Sequence, residues 1–165
     1  MTPHRDDVDQ WATDPNREKL IHWLVAQSGK MYVWCGKGPE TFDCSGLVTA
    51  SMQALDLPDW RATHNAARLF AELEPIEFFQ LRPGDLVFYG QPGQISHVMF
   101  FWTPEGEVYG ACGGNSSTTS PEVAMKAGAC VKSRRSVLYR PDVRGYRRYP
   151  FPKEEHDVIG NPHAA

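Results

Sequence analysis

Cys44 sits where a thiol can do chemistry. It follows the run Tyr32-Val33-Trp34-Cys35-Gly36-Lys37-Gly38-Pro39-Glu40-Thr41-Phe42, whose glycines and proline forbid a helix. Beyond it, Leu47, Val48, Ala50, Met52 and Leu55 recur at helical spacing. Cys44 in Asp43-Cys44-Ser45-Gly46 is therefore expected on the first turn of a helix. Unpaired N–H groups and the positive dipole end favour a thiolate there, and the same donors can receive an oxyanion. A base is also needed. His97 opens the β-forming run Ser96-His97-Val98-Met99-Phe100-Phe101-Trp102. A helix-start cysteine and a strand histidine, distant in sequence, form a nucleophile and base for acyl transfer.

The elements that must position this pair read as helices first and strands after. Asp14-Pro15 is a helix start, with Asp as N-cap and Pro in the first turn, and Gly29 ends that helix. The Cys44 helix ends near Asp56-Leu57-Pro58, and a third helix is expected over about 63–73. Strands are expected at about 86–89, 96–102, 107–112, 128–139 and 145–149. Thr103-Pro104-Glu105-Gly106 reads as a hairpin turn and 113–121 as a Gly/Ser/Thr loop. The domain is expected over 14–150, between a flexible segment 1–13 and a polar tail 151–165. No internal repeat is visible, and no second module.

Four blocks stand in order: Tyr32-Val33-Trp34, Phe42-Asp43-Cys44-Ser45-Gly46-Leu47-Val48, Pro83-Gly84-Asp85-Leu86-Val87-Phe88 and Ser96-His97-Val98. Together they resemble the NlpC/P60 family of cell-wall cysteine peptidases over roughly residues 17–112. The resemblance implies an α+β, papain-like fold, with N-terminal helices packed on a central antiparallel sheet. It implies hydrolysis of peptidoglycan stem peptides, most often between D-γ-glutamate and a diamino acid, with Cys44 as nucleophile and His97 as base. Tyr32 would help the oxyanion site, or simply pack in the core. Asp43 and Ser45 would meet the substrate's amine end, or Asp43 would only cap the helix. The family's third polar residue, which orients the base, falls here on Gly110, which has no side chain. Asn115 looping back, a backbone carbonyl or a water are the substitutes. His64 is expected at the surface and Arg61 in a solvated loop, with a substrate carboxylate as Arg61's sharper role. The chemistry requires no metal or organic cofactor. Two alternatives stand beside hydrolysis: an acyl transferase or amidase on the same fold, and a non-catalytic wall-binding or phage-tail component.

Composition agrees with one enzyme-sized domain. The chain has 165 residues, 41% hydrophobic and 12% aromatic, enough to bury a core. A net charge of −3 gives no global nucleic-acid signal, and no apolar run can span a membrane. The first residues lack the basic and apolar regions of a signal peptide. The expectation is a protein made in the cytoplasm that acts at the bacterial wall after phage lysis, tail delivery or non-classical secretion, within a phage or secretion assembly. Cys35, Cys44, Cys112 and Cys130 match no zinc spacing. Cys35 stands where the family usually has glycine; it is expected as a small buried thiol, with an inactivating disulfide to Cys44 as the alternative. Cys112 and Cys130 read as reduced strand residues. Lys132, Arg134, Arg135, Arg140, Arg144, Arg147 and Arg148 cluster late in the chain. They read as a solvated face, with adhesion to anionic wall polymers as the sharper reading.

Overall fold

Asp14 starts the first helix by accepting the N–H groups of Asn16 (3.0 Å) and Arg17 (3.4 Å), with Pro15 in the first turn. The resulting helix α1 (Pro15–Ala26) opens the computed structural model, which describes residues 14–152. Strands β1 (Met31–Tyr32) and β2 (Thr41–Phe42) follow, then helix α2 (Cys44–Ala54), capped by Asp43. Helix α3 (Ala66–Glu72), capped by Asn65, leads to strand β3 (Pro75–Ile76) and a 3-10 turn at Phe78–Gln80. Strands β4 (Leu86–Gln91), β5 (Gln94–Phe101) and β6 (Val108–Cys112) form a meander. Helix α4 (Pro121–Ala127), strand β7 (Cys130–Arg134), a 3-10 turn at Val137–Tyr139 and strand β8 (Val143–Arg147) complete the fold.

One eight-stranded sheet runs β2-β1-β7-β6-β5-β4-β8-β3. The β1·β2 pair is parallel and the other ladders are antiparallel. The expected α+β class is what is found. Alternation along the strands splits the core in two. Val98, Phe100, Tyr109 and Ala111 pack with Leu47, Val48 and Met52 of α2, whereas Val87, Tyr89, Met99, Phe101 and Cys112 pack with Val137. Burying each large apolar side chain of α2 contributes about 1.5–3 kcal/mol, which anchors the helix that carries Cys44.

Asp85 ties the two ends of the described chain to the sheet. Its carboxylate is fully buried and accepts the N–H of Arg82 (3.0 Å) and of Tyr149 (3.0 Å). It also pairs with Arg17 of α1 (3.4 Å) and Arg148 (2.6 Å). Arg17 in turn stacks on Phe151, 4.8 Å from the ring centre.

Several expected boundaries move. The third helix is shorter than 63–73, because Asn65 caps it by accepting from the Arg68 N–H (2.9 Å). The strand expected over 128–139 stops at Arg134; Ser136 then caps the 3-10 turn by accepting from the Leu138 N–H. Helix α4 was not anticipated, although Ser120-Pro121 and the left-handed Gly128 bracket it in the manner of a cap and a stop. The expected flexible segment 1–13 and most of the expected tail, from residue 153, lie outside the described residues.

Candidate active site

Asp43 builds the start of α2, the helix that carries Cys44. One carboxylate oxygen accepts the Gly46 N–H at 2.6 Å and the Ser45 hydroxyl at 3.4 Å; the other accepts the Cys35 N–H at 3.0 Å. The turn before the helix and its first turn are thereby clamped together. They approach so closely that a Cβ on Gly46 would stand 1.8 Å from the Gly36 carbonyl oxygen. Cys35 holds φ +65°, a left-handed conformation that favours glycine. Contrary to the buried thiol expected, Cys35 is exposed, because the turn projects it outward. All four cysteines are free.

Cys44 is the first residue of α2 and is buried. Backbone N–H groups of Val98, Ser45 and Cys44 itself favour the thiolate, as expected of a helix start. Desolvation outweighs them, and the adjacent Asp43 charge adds to it, so the thiol is pushed up to about 12. Cys44 therefore rests as a thiol. The helix-start argument for a thiolate is overruled by burial.

His97 lies one residue from the Val98 amide that touches Cys44. A bulge aims it: Tyr89 pairs with His97 while Gly90 pairs with Ile95, so Ser96 is extra on β5. Gly90 at φ +145° makes this possible, since a Cβ there would meet the Gln94 carbonyl oxygen at 2.4 Å. The imidazole is buried beside Tyr89, and its Nε2 and the Tyr139 Oη are hydrogen-bonded at 2.6 Å. Burial, then the Arg140 charge, depress His97 to about 3; Asp142 opposes them. Among the described residues no hydrogen bond joins Cys44 to His97, and His97 Nδ1 has no partner. Both groups rest neutral.

Tyr32 is buried, and burial above all raises its phenol, so its hydroxyl remains a donor near the thiol. Its ring lies so close to Gly114 that a Cβ there would meet it at 2.2 Å. Gly110 is in the middle of β6, and a Cβ there would meet Met99 Sδ at 2.9 Å. Asn115 closes its own turn instead, accepting the Ser117 N–H at 2.8 Å. Arg61 pairs with Asp59 through two bonds of 2.8 and 2.9 Å. His64 is buried rather than at the surface: it stacks on Trp60 at 4.0 Å and bonds Thr63 and Glu72. Among the described residues no three His, Cys, Asp or Glu side chains converge as a metal-ligand set. Within the late basic cluster, Arg140 pairs with Asp142, Arg148 with Asp85, and Arg147 lies over Phe70 at 3.6 Å. Sequence reasoning missed Tyr139 and read Arg140 only as part of a basic face; both follow β7 and carry no motif.

The chain is similar to known proteins. A stretch of 70 residues is 39% identical to the "Probable endopeptidase p60" of Listeria grayi, covering 42% of this chain and 13% of that protein. Another of 74 residues is 40% identical to the "Murein DD-endopeptidase MepH" of Escherichia coli, covering 43% of this chain and 27% of that protein. The chain thus spans well under a third of either relative. The solved structure of RipD from Mycobacterium tuberculosis, titled a non-catalytic NlpC/p60 domain protein adapted to peptidoglycan binding, superposes with a TM-score of 0.62. That likeness, at 17% identity, covers 84% of this chain and 99% of RipD, and it concerns the fold. The NlpC/P60 family model matches residues 29–124, a span running from the end of α1 through Cys44 and His97 to α4, and the chain belongs to the NlpC/P60 family.

Proposed function

We propose that this chain is a cysteine endopeptidase that hydrolyses an amide bond in peptidoglycan stem peptides, between D-γ-glutamate and a diamino acid. The observation that carries the proposal is the seam where Cys44, at the start of α2, meets the Val98 amide next to His97. Murein and p60 endopeptidases among the sequence relatives support the substrate class.

With both groups neutral at rest, the mechanism begins with general-base catalysis. His97 Nδ1 takes the Cys44 proton as sulfur bonds to the amide carbon. The Cys44 N–H, with the Tyr32 hydroxyl, receives the oxyanion. The carbon–nitrogen bond then breaks, and Nδ1 returns its proton to the leaving amine. Water, deprotonated by the same nitrogen, attacks the thioester; the acid leaves and the thiol is restored. Asp43 and Ser45, which flank Cys44 in the chain, meet the free ammonium end of the stem peptide, a charge-assisted contact.

The test is digestion of purified muropeptides followed by mass spectrometry. New amine and acid ends, gained with one water, are expected from the wild type and absent from Cys44→Ala. Equal digestion by Cys44→Ala would sink the proposal. A second reading, peptide binding without turnover, is favoured by the unformed Cys44–His97 hydrogen bond and the bare Gly110 position. A wild type that retains muropeptide uncut would establish it, and a new amide or ester product would point to a transferase.

A further inference from the structure

We infer that Tyr139 is the positioning residue for His97, taking from outside β6 the place that Gly110 leaves without a side chain. The inference deepens the peptidase reading and rests on it for its catalytic meaning. The geometry is specific to one nitrogen. Tyr139 Oη lies 2.6 Å from His97 Nε2, and Nδ1 has no partner among the described residues. With Nε2–H donating to the phenol oxygen, the lone pair of Nδ1 is left to take a proton from a thiol. The opposite tautomer would put the proton on Nδ1 and disable it as a base.

Other candidates for this role are occupied. Met99 fills the space beside Gly110, so a ring at that position would have to displace it. Asn115 spends its side-chain oxygen on Ser117. Tyr139, by contrast, is half-buried and held by several contacts. Its ring meets Tyr89 edge-on at 5.5 Å, and the Arg134 guanidinium lies over it at 4.7 Å. Its backbone N–H donates to the Ser136 carbonyl (2.9 Å), and the Tyr89 hydroxyl donates to the Val137 carbonyl (2.7 Å) in the same 3-10 turn. Burial keeps the phenol protonated, so a neutral oxygen faces Nε2 and is assigned as the acceptor from Nε2–H. Tyr89 thus anchors both partners, pairing with His97 across the strands and pinning the turn that carries Tyr139.

The experiment compares wild type with Tyr139→Phe, which keeps the ring and its stacking. Long-range proton–nitrogen NMR on uniformly 15N-labelled full-length chain reads the His97 tautomer, and muropeptide turnover gives kcat and KM. The wild type is expected to hold His97 as the Nε2–H tautomer. Tyr139→Phe is expected to show mixed tautomers, with kcat lower by roughly tenfold or more and KM unchanged. A wild-type His97 protonated on Nδ1 overturns the inference without any variant. So does a Tyr139→Phe protein with one Nε2–H tautomer and wild-type kcat. A wild type that turns over no muropeptide sinks the peptidase reading alone, and the tautomer comparison then still decides whether Tyr139 fixes His97.

Discussion

A buried thiol and a buried imidazole both resist charge, and at this site burial outweighs the local donors. The Cys44 thiol is pushed up to about 12 and His97 is depressed to about 3. The consequence for stability has a definite sign. His97 binds its proton more weakly folded than unfolded, so between about 3 and its ordinary 6.5 the unfolded chain holds the extra proton. Stability from this group is fully present above 6.5 and is lost as pH falls toward 3, at up to about 1.4 kcal/mol per pH unit. Arg140 is the largest charge acting against the imidazolium, and Asp142 acts for it. Arg140→Met should therefore raise the His97 pKa in an NMR titration and shrink the acid loss of stability, which still begins near 6.5 but ends at a higher pH. A His97 titration unchanged in that variant would show that burial alone sets the value.

At the scale of elements, two glycines let the helix and the strand meet. Gly46 brings the first turn of α2 against the 33–36 turn, where its missing side chain leaves room for the Gly36 carbonyl. Gly90 permits the bulge that re-aims the start of β5 at His97. Gly46→Ala should force α2 away from that turn. The expected cost is about 1–3 kcal/mol of stability, and a loss of roughly 100-fold in kcat in the folded protein, because small displacements of a nucleophile are costly. Denaturant melts and single-turnover kinetics check the two arms separately. A well-folded Gly46→Ala protein with full activity would mean that Cys44 need not be placed so closely.

The whole molecule is closed by Asp85. Its carboxylate joins α1 through Arg17, the start of β4, and the segment after β8 through Arg148 and the Tyr149 N–H. A buried carboxylate with two arginines is costly to break, because removing one partner leaves uncompensated charge. Asp85→Asn is expected to destabilise the chain by about 3–5 kcal/mol and to lower the denaturation midpoint of all regions together. A midpoint within experimental error of wild type would show that Arg17 and Arg148 find other partners.

What the sequence alone determined was local. Asp14-Pro15 and Asp43 announced their helices, because caps act within three residues. The alternation in 96–102 announced β5, and four blocks in order announced the family, which the model match over 29–124 bears out. Equally local cues at Ser120-Pro121 and Gly128 bracket α4, at the edges of the stretch 113–121 that reads as a loop and of the strand expected from 128. Tertiary structure decided what depends on distant neighbours. Tyr139 reaches His97 across 42 positions of sequence, because Val137 and Tyr89 dock its turn on the strand. Cys35 faces outward and His64 inward, since exposure is set by what packs around a residue. The charge state of Cys44 was the sharpest reversal. Helix-start donors are legible in sequence, but the desolvation that overrules them exists only once the sheet and α2 close over the thiol.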